Sequence, residues 1–507
     1  EIQTPFGTYK GGYVPAIVDS FASSDATIRN EREELEKNNN SFMFPTTGRG
    51  FTKSRVDAYA APMALDLRYI PSHIDKVLRF VHIEPHIKDV GRIVMDKSFR
   101  QTLDQLDPTV GGDMLVPWLQ RSGQQKIATP SQGWGGRAAD TFFRELRTRT
   151  GMQVMVASVS NALQQFTGGF IAAVKVQPKY LRDSLWQYVR SPKAMTAMIN
   201  EKSPFMSTRT TTQAMEITQT IDDLLINPDK YDKVRDFMTK HGYFMQQGTQ
   251  NVVDVIAWSG AYDQAVERGL TEPEAVREAD SAVRETQGSF NPEDVSRFET
   301  GTAFQRAFTQ FYSYFNMQAN LFGTEFSNAT RNLGLKKGAG RLLYVYAMGL
   351  MIPSVLNDLI FKVMGGKGLD ENDDGQYMDD ILSLFFGSQF KTLTAMVPFV
   401  GQVVNSGINN FNGKTYDDSI RVSPAVSMIE AAVKAPSEVY KAIRDEGKAA
   451  PAIRDVLTLL GLATGLPLKP VANPINYLSA VSSGEAQPTG PIDFARGLVS
   501  GKTGKRR

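Results

Sequence analysis

A chain of 507 residues with 22% charged and 41% hydrophobic side chains has the composition of a folded protein, and its length allows roughly two to four domains. Net charge is only +2, which excludes a polycation built wholesale for nucleic acid and confines any such contact to a local cluster. There is no cysteine, so disulfides and thiolate metal sites are excluded, as in a reducing compartment or a chain without covalent staples.

Residues 1–65 are rich in Gly, Pro, Asn and aromatics. TPFGTYKGGYVP and NNNSFMFPTTGRG predict an irregular, turn-punctuated arm, interrupted by one short charged helix over DATIRNEREELEKN. The opening EIQTPFGTYKGGYVP has no basic stretch followed by an apolar one, so it is not a signal peptide. Its first residue is Glu1 rather than Met, the start expected of an excerpt from a longer polypeptide.

A helical block is predicted over 66–135. Ile74, Val77, Leu78 and Val81, then Val90, Ile93 and Val94, recur at helical spacing. Pro85 is expected to kink or split the run, because proline has no N–H and clashes with the preceding turn. A Gly/Pro/Trp connection, TVGGDMLVPWLQRSG and TPSQGWGG, is expected next.

Residues 136–330 predict a central helical domain. DTFFRELRTRTG leads into MQVMVASVSNALQQFTGGFIAAV, a basic turn before a charge-free helix. Six interspersed Gln, Ser and Asn residues make that helix a poor lipid-exposed span. TEPEAVREADSAVRE opens on a capping box, with Thr271 as N-cap, Glu274 three residues on and Pro273 in the first turn. FQRAFTQFYSYFNMQANLF, residues 304–322, carries seven aromatics and no acid. On one continuous helix Phe304, Phe308, Phe311, Phe315 and Phe322 share a stripe, to be buried in the core or in a seam between copies. Tyr312 and Tyr314 lie beside it as a half-wet flank for a neighbour.

Residues 331–450 hold the most apolar stretches. Leu342–Asn357 has no charge, and Ile381–Ile408 carries only Lys391. An acidic loop, GLDENDDGQYMDD, joins them, which predicts an apolar helical hairpin. Both segments are near the ~20 apolar residues that a spanning helix needs. Leu350, Ile352, Phe361, Phe385, Phe386 and Phe399 are the candidate membrane contacts. Residues 451–507 are apolar but broken by Gly and Pro, and end in a basic tail whose Lys502, Lys505, Arg506 and Arg507 are the candidate DNA contacts. No strand of useful length and no internal repeat is predicted. The fold class is therefore all-α, an extended multi-helix architecture with an irregular N-terminal arm and apolar helical hairpins near the C-terminus.

No motif for chemistry survives inspection. GLVSGKT lacks the glycine that a phosphate loop places five residues ahead of its GK[ST] glycine, since Arg496 stands there. DENDDG at 370–375 matches the first half of a calcium loop, but its twelfth position is Ile381 instead of a bidentate Glu. His82, Glu84 and His86 flank Pro85 without a further ligand at zinc-like spacing. No GxSxG or HExxH is present. No catalytic residue, metal site or cofactor is assigned, and the chain is read as a non-enzyme.

Several blocks nevertheless resemble a known group, in the same order and over nearly the whole chain. TPFGTYKGGYVP, HIEPHIKDVGRIVMDKSFRQTLDQ with the later WLQ, GMQVMVASVSNALQQFTGG, TQFYSYFNMQANLF, GLATGLPLKP and PIDFARGLVSG resemble the C-terminal region of large polyvalent internal virion, or ejection, proteins of tailed bacteriophages. The resemblance implies a structural protein of the capsid's internal core. It implies a homo-oligomeric ring, other core, ejection and portal proteins as partners, and contact with phage DNA. It also implies release into the host envelope, where such proteins help form a conduit for DNA. Catalytic domains of some relatives lie outside this region. The alternatives are a helical scaffold or portal-associated protein that never meets a membrane, and a non-catalytic region of a larger virion enzyme.

Overall fold

The computed structural model describes residues 2–4, 7–9, 81–107, 109–124, 133–155, 158–213, 244–289, 294–309, 312–332, 334–364, 384–390 and 468–501, with a few single positions besides. Most of the N-terminal arm, the charged helix near its middle, the acidic loop 370–375, Phe311, Phe399 and the basic tail lie outside these residues. The protein is an all-α multi-helix protein. Apart from a short antiparallel hairpin of β1 (Ile2–Thr4) and β2 (Gly7–Tyr9), in which Ile2 pairs Tyr9, its described elements are helices. The chain divides into two compact units, one of residues 1–127 with 291–297 and one of the remainder.

In the first unit, α1 (Glu84–Met95) begins at Pro85's own turn, with Ile83 as its N-cap. The proline splits the predicted run by starting a helix, where its missing N–H costs nothing. Asp96 then caps α2 (Lys97–Leu106) by accepting from the backbone N–H groups of Ser98 and Phe99. The expected Gly/Pro/Trp connection is instead helical: a π-helical segment, Val110–Leu115, runs into α3 (Val116–Gln124). Pro117 is in the first turn of α3, so its ring meets no preceding α-helical turn. Ile87 and Leu119 make the buried contact between α1 and α3.

The second unit is built on α4 (Gly133–Met155), α5 (Val159–Gln165), α6 (Gly168–Ala172), α7 (Pro178–Arg190), α8 (Pro192–Lys202) and α9 (Pro204–Gln213). Prolines 178, 192 and 204 each open a helix, and each follows a residue outside the helical region. α10 (Phe244–Glu267) and α11 (Glu272–Gln287) follow. The predicted capping box forms at α11, where the Glu274 carboxylate accepts from the Thr271 N–H at 3.0 Å and its hydroxyl at 2.6 Å.

The main core lies among α7–α11. Trp258, fully buried, packs with Val176, Met195, Ile199, Val255, Ala279 and Val283, and stacks on Tyr262 at 5.1 Å. Its indole N–H donates to Asp280 at 2.7 Å, which also accepts from the Ser203 hydroxyl at 2.6 Å. Ser203 in turn accepts from the Met206 N–H and so caps α9.

Beyond this core lie α12 (Ala303–Phe308), α13 (Ser313–Asn332), α14 (Gly334–Tyr346), a π-helical segment (Ala347–Met351), α15 (Ile352–Met364), α16 (Lys469–Ser482) and α17 (Pro491–Ser500). α16 and α17 form a hairpin around Tyr477 and Phe494.

Candidate functional site

The longest apolar element runs from α14 through the π-helical segment into α15. Residues Lys337–Ile360 are long and apolar enough to cross a membrane by length and composition, and 28% of the apolar window is buried. At 1.5 Å per residue that stretch is about 36 Å long, against ~30 Å for a bilayer's hydrocarbon core.

Its central distortion has a cause in the sequence. Pro353 has no N–H, so the carbonyl of Gly349, four residues earlier, loses its α-helical partner. The helix responds by widening over Ala347–Met351, and the Ile352 N–H donates five residues back to Ala347. The Gln318 side chain fills the vacant place on the Gly349 carbonyl at 3.1 Å, and the same amide donates to the Tyr314 hydroxyl at 3.1 Å. Glycine at 349 lets the helix approach closely, since an added Cβ would lie 3.3 Å from Val174 and 3.4 Å from the Phe322 ring.

One end of this helix is anchored by charge. Arg341 forks onto Glu325 of α13, with Nε at 2.9 Å and a terminal nitrogen at 2.7 Å from Oε2, and donates to the Val174 carbonyl at 2.6 Å. Lys175 bridges the other Glu325 oxygen at 2.9 Å and Glu285 of α11 at 2.7 Å. Next to them the Tyr344 hydroxyl donates to the Ala173 carbonyl at 2.8 Å. Burial works against the charge of Glu325, but Lys175 and Arg341 outweigh it and hold the carboxyl below its ordinary range. Burial also opposes the charge of Lys175, and its bonds to Glu285 and Glu325 raise its pKa despite that. Beneath this cluster, Ile171, Val174, Met317, Leu321 and Val345 form an apolar patch, joined by Tyr314, Phe322 and Met348.

The aromatic stripe is not laid out as the sequence suggests. α12 ends at Phe308 and α13 begins at Ser313, so residues 304–322 are divided between two helices. Phe304 is 48% exposed, with its ring 4.9 Å from Phe143 of α4. Phe315 is half-buried and Phe322 packs on the apolar patch. The inward face of α13 is Tyr314, Met317, Gln318 and Leu321 instead. Tyr314 is half-buried, packed on the apolar patch, and burial pushes its hydroxyl pKa up. Tyr312 donates to the Met396 carbonyl at 2.8 Å. The side chains of Phe308 and Phe311 are outside the described set.

The candidate membrane contacts divide. Leu350 is fully buried against the bundle, within the π-helical segment. Ile352 and Phe385 are half-buried, Phe386 is 65% exposed, and the side chains of Phe361 and Phe399 are outside the description. Tyr346 donates to Gln389, which brings the helical residues 384–390 against α14. Lys502, Lys505, Arg506 and Arg507 lie outside the described residues.

GLVSGKT is led into by α17, not by a strand. Gly501 is the left-handed C-cap, φ 69°, and Gly497 lets α17 close onto Tyr477. Glu84 pairs with Lys88 at 2.7 Å, and no group of three or more His, Asp or Glu residues is placed to hold a metal among the described residues.

A buried ion pair elsewhere was not foreseen. Arg209 of α9 binds Asp254 of α10 at 2.6 and 3.2 Å, and donates to the Gly288 carbonyl at the end of α11 at 2.7 Å. No known protein family, curated protein or solved structure matches the chain.

Proposed function

We propose that this chain is a structural component of a tailed-phage virion core, assembled as a ring with other core proteins and released into the host envelope to help form a conduit for DNA. In this reading the apolar helical elements near the C-terminus carry the envelope contact. The observation that carries the reading is the helix Lys337–Ile360, long and apolar enough to cross a bilayer yet docked on a helical bundle. A chain that is packed in one state and inserted in another needs such a segment, and an obligate membrane protein would have cleaner spans. The order of phage-like sequence blocks supports the same reading. No catalytic step is assigned to this chain.

The burial of Val345 and Leu350 favours a second reading, a helical scaffold of the virion that never meets lipid. Flotation of the full chain with vesicles, with and without anionic lipid, separates the two. Co-flotation with residues 343–356 shielded from an aqueous reagent is the expected result; a chain that stays in the dense fraction in both cases selects the scaffold. Imaging of particles that located the chain on a tail fibre would refute both.

A further inference from the structure

We propose that the apolar helix 337–360 is a detachable element, held on the central bundle by an ionic clasp centred on Glu325, and that opening the clasp frees the helix while the bundle stays folded. The inference rests on the two-state part of the proposed function, but not on lipid being the second partner.

Four observations point to it. The polar anchors at the helix's N-terminal end converge on one small place: Arg341 and Tyr344 reach the carbonyls of Val174 and Ala173, and Lys175, the next residue, shares Glu325 with Arg341. Both oxygens of a Glu325 side chain only 6% exposed are therefore taken, one by each cation. Removing that single carboxylate releases both cations at once.

The apolar cluster beneath has five buried residues, of which Val345 alone is on the helix, with Leu350 buried besides, against thirteen in the separate core around Trp258. Helix undocking therefore leaves the larger core intact.

The docked interface also carries an unmet acceptor. Gln318 Oε1, on α13, is buried with no partner, and a buried acceptor without a donor opposes docking.

Finally, the helix keeps nearly all its backbone hydrogen bonds within itself. The bond from Gln318 to the Gly349 carbonyl comes from outside it. Detachment therefore does not require the helix to melt, and what it exposes is the charge-free run 342–357.

The charged groups facing Glu325 are Lys175 from the turn after α6 and Arg341 from α14, with Glu285 of α11 behind Lys175. With the carboxyl held below its ordinary range and the Lys175 ammonium above its own, the clasp is closed at neutral pH and opens in acid, in strong base or when a partner is removed.

Hydrogen exchange of the full chain, in buffer without lipid, tests this. In Glu325→Gln, amides of 341–357 are expected to lose at least tenfold in protection while those of 250–265 in α10 keep theirs. Glu285→Gln, which removes only the outer partner, should give a smaller loss confined to the same helix. Arg341→Lys keeps the charge and loses the fork, and serves if Glu325→Gln does not fold; the same local loss is expected. Unchanged protection of the helix, or equal loss in helix and α10, overturns the clasp. Because lipid is absent, failure here is distinct from failure to co-float with vesicles.

Discussion

Replacing Arg209 by Met tests the description of the main core most severely. Its guanidinium is 3% exposed and Asp254 is 2% exposed, so the pair is dry. The substitution keeps most of the aliphatic stem but removes the fork that holds both carboxylate oxygens, and the donor that closes the C-terminal carbonyls of α11 at Gly288. Asp254 keeps the Gln250 amide at 2.8 Å. Removing one partner of a buried ion pair costs about 3–5 kcal/mol, because the other charge stays desolvated. The bonds lost at Gly288 belong to the same difference and are not added to it. Urea unfolding followed by tryptophan fluorescence reads the change, since Trp258 is in the same core. The double variant Arg209→Met/Asp254→Leu should recover most of the loss, because an apolar pair of similar volume has no charge to desolvate. A single variant that loses less than about 1 kcal/mol would show that this pair is hydrated and that the three helices are not joined through it.

Gly497→Ala should destabilise the α16–α17 hairpin by about 1–3 kcal/mol, since the new Cβ would fall 2.0 Å from Tyr477 Cζ and force the helices apart; limited proteolysis within 469–500 reports it. Trp258→Phe removes the donor to Asp280 and should cost about 1–3 kcal/mol beyond the change in packing, with Ser203→Ala sub-additive to it because both bond the same carboxylate. The Glu325 cluster sets a pH window. Glu325 has a lowered folded pKa, so its contribution is complete above its ordinary 4.5 and fades as pH falls through the lowered value. Lys175 has a raised folded pKa, so its contribution is complete below its ordinary 10.5 and fades as pH rises through the raised value. Protection of α14 in hydrogen exchange should therefore be flat across neutral pH and fall in acid, and Glu325→Gln should abolish the acid limb.

The elements that the sequence alone determines are those whose causes are local. Helical spacing of apolar residues, proline at helix starts and the Thr271–Glu274 box each act within a turn or two, so the all-α class, the start of α11 and the helical nature of the uncharged run 342–357 are readable from the chain. Pro353 is a local signal as well, and the π turn it produces at 347–351 was readable in principle from the carbonyl it orphans. What lies beyond local reach is which face turns inward. α12 and α13 are separate helices, and Phe304 is half-exposed while Met317 and Leu321 are buried. Glu325, on a helix of mixed polarity, has the spacing of a solvated carboxylate. Only tertiary packing brings it to Arg341, 16 residues on, and to Lys175, 150 residues back. Arg209 and Asp254 likewise meet across 45 residues, and nothing near either one marks it as buried. The physical reason is the same in each case. Helix formation is decided by bonds within a turn, whereas the burial of a charge depends on a partner that only the folded chain supplies.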